Sequence, residues 1–560
     1  MKLRRREEGY TLITVLLIFT VVTIIAVTLM AASVSTFKFV KSSENKTKDK
    51  LNAEMVLDEA TALIQNELDG INSTLSTGSI LPNQLLTMMQ NSLNRVAQEK
   101  KNQCTITYDT LKDGSDADGV VLEKVTITVP VGDSGKVLKK VITLSTVSNA
   151  LQYTAVTPSN LYLYGAPYID GDVNVGGDLF TSNYGTYILG QTNYVRTSYP
   201  AINGSLTVKG KYYYSDRAPY IWKNFNTTNM QNYFSVVPKI ADRNLSVDTI
   251  DVGGIIDKKK LSWPNNIPPQ IPILGDKVIY GNQSDSTSKY FSSLTLQTNS
   301  SYTVNGNLYI NNLLNFGGNL TIGKNSSLVV NGDLYIDNDL VSVGNLKVNG
   351  NIYVSGNADI SGNLTITGNN HYIYIDNSTK TLLGISLDPI QSDVTLHDLT
   401  LDGVMYINRK AYLRDDVNTN GSIYVRNSID VQNLSNNDGT LVLLCDGDIQ
   451  LANNNEFNDN PKVIDAFFYS NEELFIYGIG SNLKINGGIY GNPIKLSASK
   501  GTTYENWNSL TFQKQQETID PTKSRLSIYF KPDLILNLPK GVPTVNKVTL
   551  KEIDTSFDDK

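Results

Sequence analysis

The side chains best placed for chemistry in this chain are carboxylates set close together: Asp170 with Asp172, Asp415 with Asp416, and Asp393 near His397 and Asp398. Glycoside hydrolysis needs two such groups facing one bond, about 5–10 Å apart. Asp415 and Asp416 are adjacent, so on a strand they point to opposite faces, and Arg414 beside them marks a solvated turn. Asp170 and Asp172 can share a face, yet both belong to a Gly-Asp corner unit that accounts for them. His397 beside Asp398 reads as a surface or corner histidine. Two His and two Cys (Cys104 and Cys445) leave little scope for zinc, thiolate-metal or disulfide chemistry. No P-loop, HExxH or GxSxG occurs. Gly176-Gly177-Asp178 and Gly317-Gly318-Asn319 are isolated fragments of a calcium-binding repeat. The expectation is a chain that is not an enzyme, with no catalytic residue, metal or cofactor.

A second set of residues points to binding. A unit of Gly, Asn or Asp, aliphatic, any residue, aliphatic recurs from about residue 160, as in Gly306-Asn307-Leu308-Tyr309-Ile310 and Gly332-Asp333-Leu334-Tyr335-Ile336. Its densest run sets Gly344, Gly350, Gly356, Gly362 and Gly368 six residues apart. In this unit the central residue lies between two inward aliphatics and is expected to face solvent. Tyr309, Tyr335, Tyr353 and Tyr424 hold that position. Tyr335 and Tyr353 are 18 residues apart and should stack on neighbouring strands. Such an aromatic row suits a surface glycan or protein ligand; strand stabilisation by cross-strand pairing is the alternative.

The elements that must hold these residues follow from the same unit. Two aliphatics separated by one residue make a short strand, and Gly-Asn or Gly-Asp can take the left-handed backbone that turns a corner. No unit is long enough for a crossover helix, which excludes a doubly wound sheet. The expected fold is mainly β: a parallel β-helix over 156–545, right-handed because the spacing is irregular outside 344–368. An antiparallel sandwich is the alternative. A long insert near 183–300, with Tyr212-Tyr213-Tyr214, Trp222, Trp263 and Ile267-Pro268-Pro269, should lie over one side. Residues 546–560 read as a tail.

Before the repeat comes a smaller unit, 71–155. Leu85, Leu86, Met89, Leu93 and Val96 fall on one face of a helix over 82–100, begun by Pro82. Residues 104–108, 121–129 and 137–144 alternate as antiparallel strands. Together they form a small α+β head. Composition adds that 48 Lys+Arg against 54 Asp+Glu gives a net charge of -6, with no basic block beyond the N-terminus, so no nucleic-acid partner is expected.

The N-terminus carries the address. Lys2, Arg4, Arg5 and Arg6 precede Glu7, Glu8 and Gly9, and no charge follows from Tyr10 to Phe37. That run is long enough to span a bilayer, through residues 10–37, with the basic end in the cytoplasm and the rest outside. Ala53, Val56, Leu57, Ala60, Leu63, Ile64 and Leu68 then continue at helical spacing, and Gly70 is placed to end a helix over 10–70. Ser42-Ser43 offers a break if there are two helices instead. Glu-Glu-Gly9-Tyr10-Thr11-Leu12 before an unbroken apolar helix resembles a type IV prepilin signal. The resemblance implies a leader over 1–9, cleavage after Gly9 by a prepilin peptidase, and methylation of Tyr10. Thr14 stands where major pilins carry Glu, which is similar to PilX-type minor pilins and tip pseudopilins. It implies a minor or tip component of a pilus on the cell surface, with other pilins or pseudopilins as partners. A membrane-tethered β-helix acting on polysaccharide and an inert spacer are the competing readings.

Overall fold

The computed structural model describes residues 5–559 apart from 79, 116–118, 133–134, 190, 242–246, 269–270, 313–317, 369, 377–379, 383–384, 388–392 and 507–508. Residues 1–4, Gly317 and the side-chain surroundings of residues 5–10, Gly9 and Tyr10 among them, therefore lie outside the described residues.

A single helix, α1 (Arg5–Thr77, 73 residues), begins the chain and is about 110 Å long at 1.5 Å per residue. It contains Gly9 and Tyr10 and runs unbroken through Ser42-Ser43. Its segment from Thr11 is apolar enough to cross a membrane, with mean hydropathy 2.9 in its best window. Leu12, Leu16 and Phe19 are exposed there, so this surface has no protein cover. Threonines within it hide their hydroxyls by donating to the carbonyl one turn back, Thr20 to Leu16 and Thr23 to Phe19 at 2.7 Å each.

From Ala53 onward α1 turns a buried stripe (Leu57, Ala60, Ile64, Leu68, Ile71, Leu75) toward a head built from α2 (Pro82–Glu99) and an antiparallel sheet. The sheet strands are β1 (Thr105–Asp113), β2 (Val121–Val131), β3 (Lys136–Val147) and β4 (Thr544–Asp559), in that order. Two expectations are corrected here. Gly70 does not end the helix, and 546–560 is not a tail but most of the fourth strand of the head. The two corrections have one cause. Asn72, two residues past Gly70, exchanges hydrogen bonds of 2.9 and 2.7 Å with the Val548 backbone, and Asn546 caps the Leu75 carbonyl at 2.9 Å. These contacts offset the roughly 1 kcal/mol that Gly costs inside a helix. Lys140 of β3, nearly buried, adds a bridge to Asp58 of α1 at 2.9 Å and to Glu552 of β4 at 3.5 Å.

Between β3 and β4 the chain forms a large sheet of short parallel strands. They fall into three rows, and from Ile273 to Ser342 each strand pairs with the one three places further along. Thus Leu308–Ile310 pairs with Leu334–Ile336, then with Ile352–Val354 and Ile373–Ile375. Leu320–Ile322 and Ser327–Val330 start the corresponding series in the other two rows. The inward aliphatics of all three rows make one continuous core, including Leu334, Leu346, Ile352 and Leu364.

The Gly-Asn/Asp unit works differently from expectation over most of its dense run. Gly362 and Gly368 do have positive φ (86° and 101°). At Gly350 the requirement is space: an added Cβ would lie 2.6 Å from the Gly332 carbonyl oxygen in the next tier. The Asn or Asp that follows ties the tiers. Asn307 Oδ1 accepts from Asp333 N–H at 2.9 Å, and Asp333 Oδ1 from Asn351 N–H at 2.8 Å.

Tier order is not chain order. Ala155–Thr157 pairs with Leu483–Tyr490, Leu161–Gly165 with Ile494–Ala498, and Tyr168–Asp170 with Leu526–Tyr529. The first tiers therefore stack on the last ones. Ala201–Asn203, Ser205–Val208 and Tyr212–Ser215, and again the strands from Ile273–Leu274, belong to the sheet, so the expected insert near 183–300 divides into a separate antiparallel hairpin (Tyr184–Leu189 with Gln191–Arg196) and a segment 216–272 that pairs with the sheet at Lys223–Phe225 and Lys239–Ile240. That segment caps one end of the stack with Met230 and Phe234 and then returns to the other. The tier at the other end places Lys277, Gln283 and Asp285 in register with inward Leu294, Tyr302 and Val304. Polar residues at core positions terminate the stack and discourage further strand addition.

Candidate functional site

Aromatic residues on one row form the chain's most extensive site feature. Tyr290, Tyr309, Tyr335, Tyr353, Tyr374, Tyr406 and Tyr424 follow one another in register. After Leu444 the row continues with Tyr469 and Tyr490. Some rings stack closely: Tyr309 on Tyr335 at 5.4 Å and 6°, and Tyr469 on Tyr490 at 4.3 Å and 8°. Tyr335 and Tyr353 do pair across neighbouring strands, although their rings tilt by 50° at 6.5 Å.

The expectation that Tyr309, Tyr335, Tyr353 and Tyr424 face solvent is corrected. They point away from the aliphatic core but lie beneath a cover; Tyr309, Tyr353 and Tyr424 are buried and Tyr335 is half-buried. The cover has two parts. The return segment supplies Ile250, Trp263 and the short helix α3 (Val252–Lys258), capped by Asp251 on Gly254 N–H, while Leu534, Ile535 and Val542 come from the segment before β4. Trp263 sits 6.3 Å from both Tyr309 and Tyr335. Tyr469 Oη accepts from Ile250 N–H at 2.7 Å, Tyr424 donates to the Gly541 carbonyl, and Arg426 pairs with Asp257 of α3. A phenol fits this row because its ring packs and its hydroxyl reaches the cover. The sequence reading missed Tyr290, Tyr374, Tyr406, Tyr469 and Tyr490. Ile373-Tyr374-Ile375 and Met405-Tyr406-Ile407 carry the same aliphatic flanks without the leading Gly-Asn, and that was the available signal.

Burial raises these phenols, Tyr335 to about 12 with Asp333 as a further cause, and Tyr353, Tyr374 and Tyr469 also upward. In the unfolded chain a tyrosine ionises near 10. Above that pH the unfolded state loses protons that the folded state keeps, so stability is full below about pH 10 and falls as pH rises toward the folded values. We expect a large share of the tyrosinate absorbance to appear only together with loss of the β-sheet circular dichroism signal. Ionisation of all the tyrosines with the sheet intact would show the row to be open to solvent.

Asp170, Asp172, Asp415 and Asp416 are each engaged separately. Asp170 accepts from Asn203 at 3.0 Å, and Asp172 lies 3.8 Å from Lys551 of β4. Asp415 accepts from Asn433 at 3.0 Å. Asp416 takes Ser435 and Lys462, which hold its carboxyl below the usual range. His397 bridges Asp359 at 3.1 Å and Asp398 at 3.7 Å on the surface, without a nucleophile in that contact. Cys104 and Cys445 are buried free thiols, and burial pushes both up. Among the described residues no group of three or more His, Cys, Asp or Glu is placed to hold a metal. No protein-family profile, curated protein or solved structure matches this chain.

Proposed function

We propose that this chain is a prepilin-like, single-pass membrane protein that displays a parallel β-helix outside the cell, as a minor or tip component of a type IV pilus or related assembly. The observation that carries this reading is α1 itself. Its first half is apolar and without protein cover, and its second half packs into a small antiparallel head. That division of one helix suits a subunit held in a membrane before assembly. The three-row pairing supports a β-helix, right-handed by the irregular spacing of its units. Lys2 and Arg4 to Arg6 keep the N-terminus in the cytoplasm, so the head and sheet lie outside. Cleavage after Gly9 by a prepilin peptidase makes Tyr10 the first residue, and Thr14 in place of Glu fits a minor position. Other pilins or pseudopilins are the partners, and the displayed stack serves adhesion or assembly. Mass spectrometry of the mature N-terminus tests this directly. A chain beginning at methylated Tyr10 is expected, and an intact Met1 overturns the prepilin route.

A further inference from the structure

The excursion between Ile494–Ala498 and Leu526–Tyr529, with the loop before Lys462–Ser470, lines a cavity of about 560 Å³ beside Leu526–Tyr529. That is within the usual range for small-molecule sites. Arg525 lines it with a side chain only 2% exposed. A guanidinium has five N–H donors. Four of them meet backbone carbonyls: Ser481 at 2.8 Å, Asn458 and Gly480 at 3.1 Å each, and Gly501 at 3.2 Å. The fifth belongs to the nitrogen that lies 3.8 Å from Asp459 Oδ1, beyond hydrogen-bond reach. A nearly buried cation with an unused donor favours an anion brought into the cavity.

Two more cations line the same space. Lys484 is half-buried with its ammonium 4.2 Å from the Tyr529 ring centre, and Lys523 is exposed. Lys484 forms no ion pair among the described residues, and Lys523 has Asp520, outside the cavity lining, as its acidic neighbour. Three cations thus face one carboxylate, Asp459, beside the Asn482 and Thr502 side chains and an aromatic ring. A single anion needs no further polar lining, whereas a sugar uses it: its hydroxyls can donate to Asn482 Oδ1, whose amide N–H groups are held by the Asn458 and Asp459 carbonyls, and bond the Thr502 hydroxyl.

We infer that this cavity binds an acidic saccharide, with its carboxylate or phosphate on Arg525, Lys484 and Lys523 and its hydroxyls on Asn482 and Thr502. The inference rests on the surface-display reading for the source of the ligand, while the N-terminal mass measurement fails or succeeds independently of it. The test is calorimetric titration of the purified full chain in detergent with digalacturonate, glucose 6-phosphate, maltose and inorganic phosphate. At least one acidic saccharide is expected to bind about tenfold or more tighter than maltose and inorganic phosphate, weakening with salt. Which of the two acidic probes binds more tightly identifies the acid group. Lys484→Gln and Lys523→Gln are each expected to lower that affinity about tenfold without shifting the melting temperature. Arg525 is left intact because it holds four carbonyls of the fold. Equal binding of maltose, equal binding of phosphate, no binding of either acidic probe at millimolar concentration, or unchanged affinity in both variants overturns the inference.

Discussion

Replacing Tyr353 and Tyr424 together by Ala is expected to destabilise the folded chain by about 6–10 kcal/mol, from about 3–5 kcal/mol for each buried aromatic ring removed. Tyr353 is 6% exposed and Tyr424 2%. The tiers of Tyr374 and Tyr406 separate them, so the two losses should add. Each ring supports part of a roof: Tyr353 and Tyr424 share a cluster with Val252, Ile256, Leu534 and Val542. Removing both loosens the return segment and the chain before β4 together. The measurement is the urea midpoint of the β-sheet signal, with Tyr280→Ala as a control because that ring is 70% exposed and should cost almost nothing. A double variant that keeps its midpoint but loses surface attachment would restore the tyrosines to a binding role.

Removal of Thr544–Lys560 is expected to have the second large effect, the loss of a folded head. β4 pairs with β3 along most of its length, with Leu144 opposite Leu550 and Leu138 opposite Phe557. Without it, α1 loses the Asn72–Val548 bonds and Lys140 loses Glu552, which leaves a nearly buried cation with Asp58 alone. Breaking one partner of such a pair is costly because the remaining charge stays buried. Asp172 also loses Lys551, one tie between the head and the parallel sheet. Limited proteolysis reads the outcome: β1–β3 become cleavable while the tiers between 289 and 375 stay resistant. Equal resistance of the head with and without these residues would show β4 to be an accessory edge.

Much of this architecture was legible in the residues, for local reasons. The helix and strand periods of Leu85–Val96 and Val121–Val129 depend on near neighbours, as do the Gly-Asn-Leu-Tyr-Ile units. What stayed hidden depends on partners far along the chain. Gly70 read as a stop because its rescue by Val548 lies 478 residues away. The tyrosines read as exposed because one unit shows which way a side chain points and nothing about what lies above it. Their cover was partly written in Asp251-Val252-Gly253-Gly254-Ile255-Ile256, a capped apolar turn inside a segment otherwise rich in Pro and Asn. The acidic residues form pairs by spacing alone, whereas in the structure Asp170, Asp172, Asp415 and Asp416 each have a partner of their own. Arg525 attracted no notice, since a lone Arg before a strand has no pattern; only the convergence of four carbonyls marks it.

The stacking of the first tiers on the last has a consequence for biogenesis. Leu161 and Ile169 emerge early but find Ile494 and Ile528 only after more than 320 further residues have been made. Folding can zip from tier to tier where neighbours follow closely in sequence, as between 289 and 375, because each tier needs only the one before it. The junction cannot form that way, and its closure carries the slow kinetics of long-range contacts. A chain cut short during synthesis would hold its N-terminal helix and early tiers whose apolar edge is unmatched, a plain target for proteolysis. The junction therefore closes only once the strands from Leu483 to Tyr529 have been made.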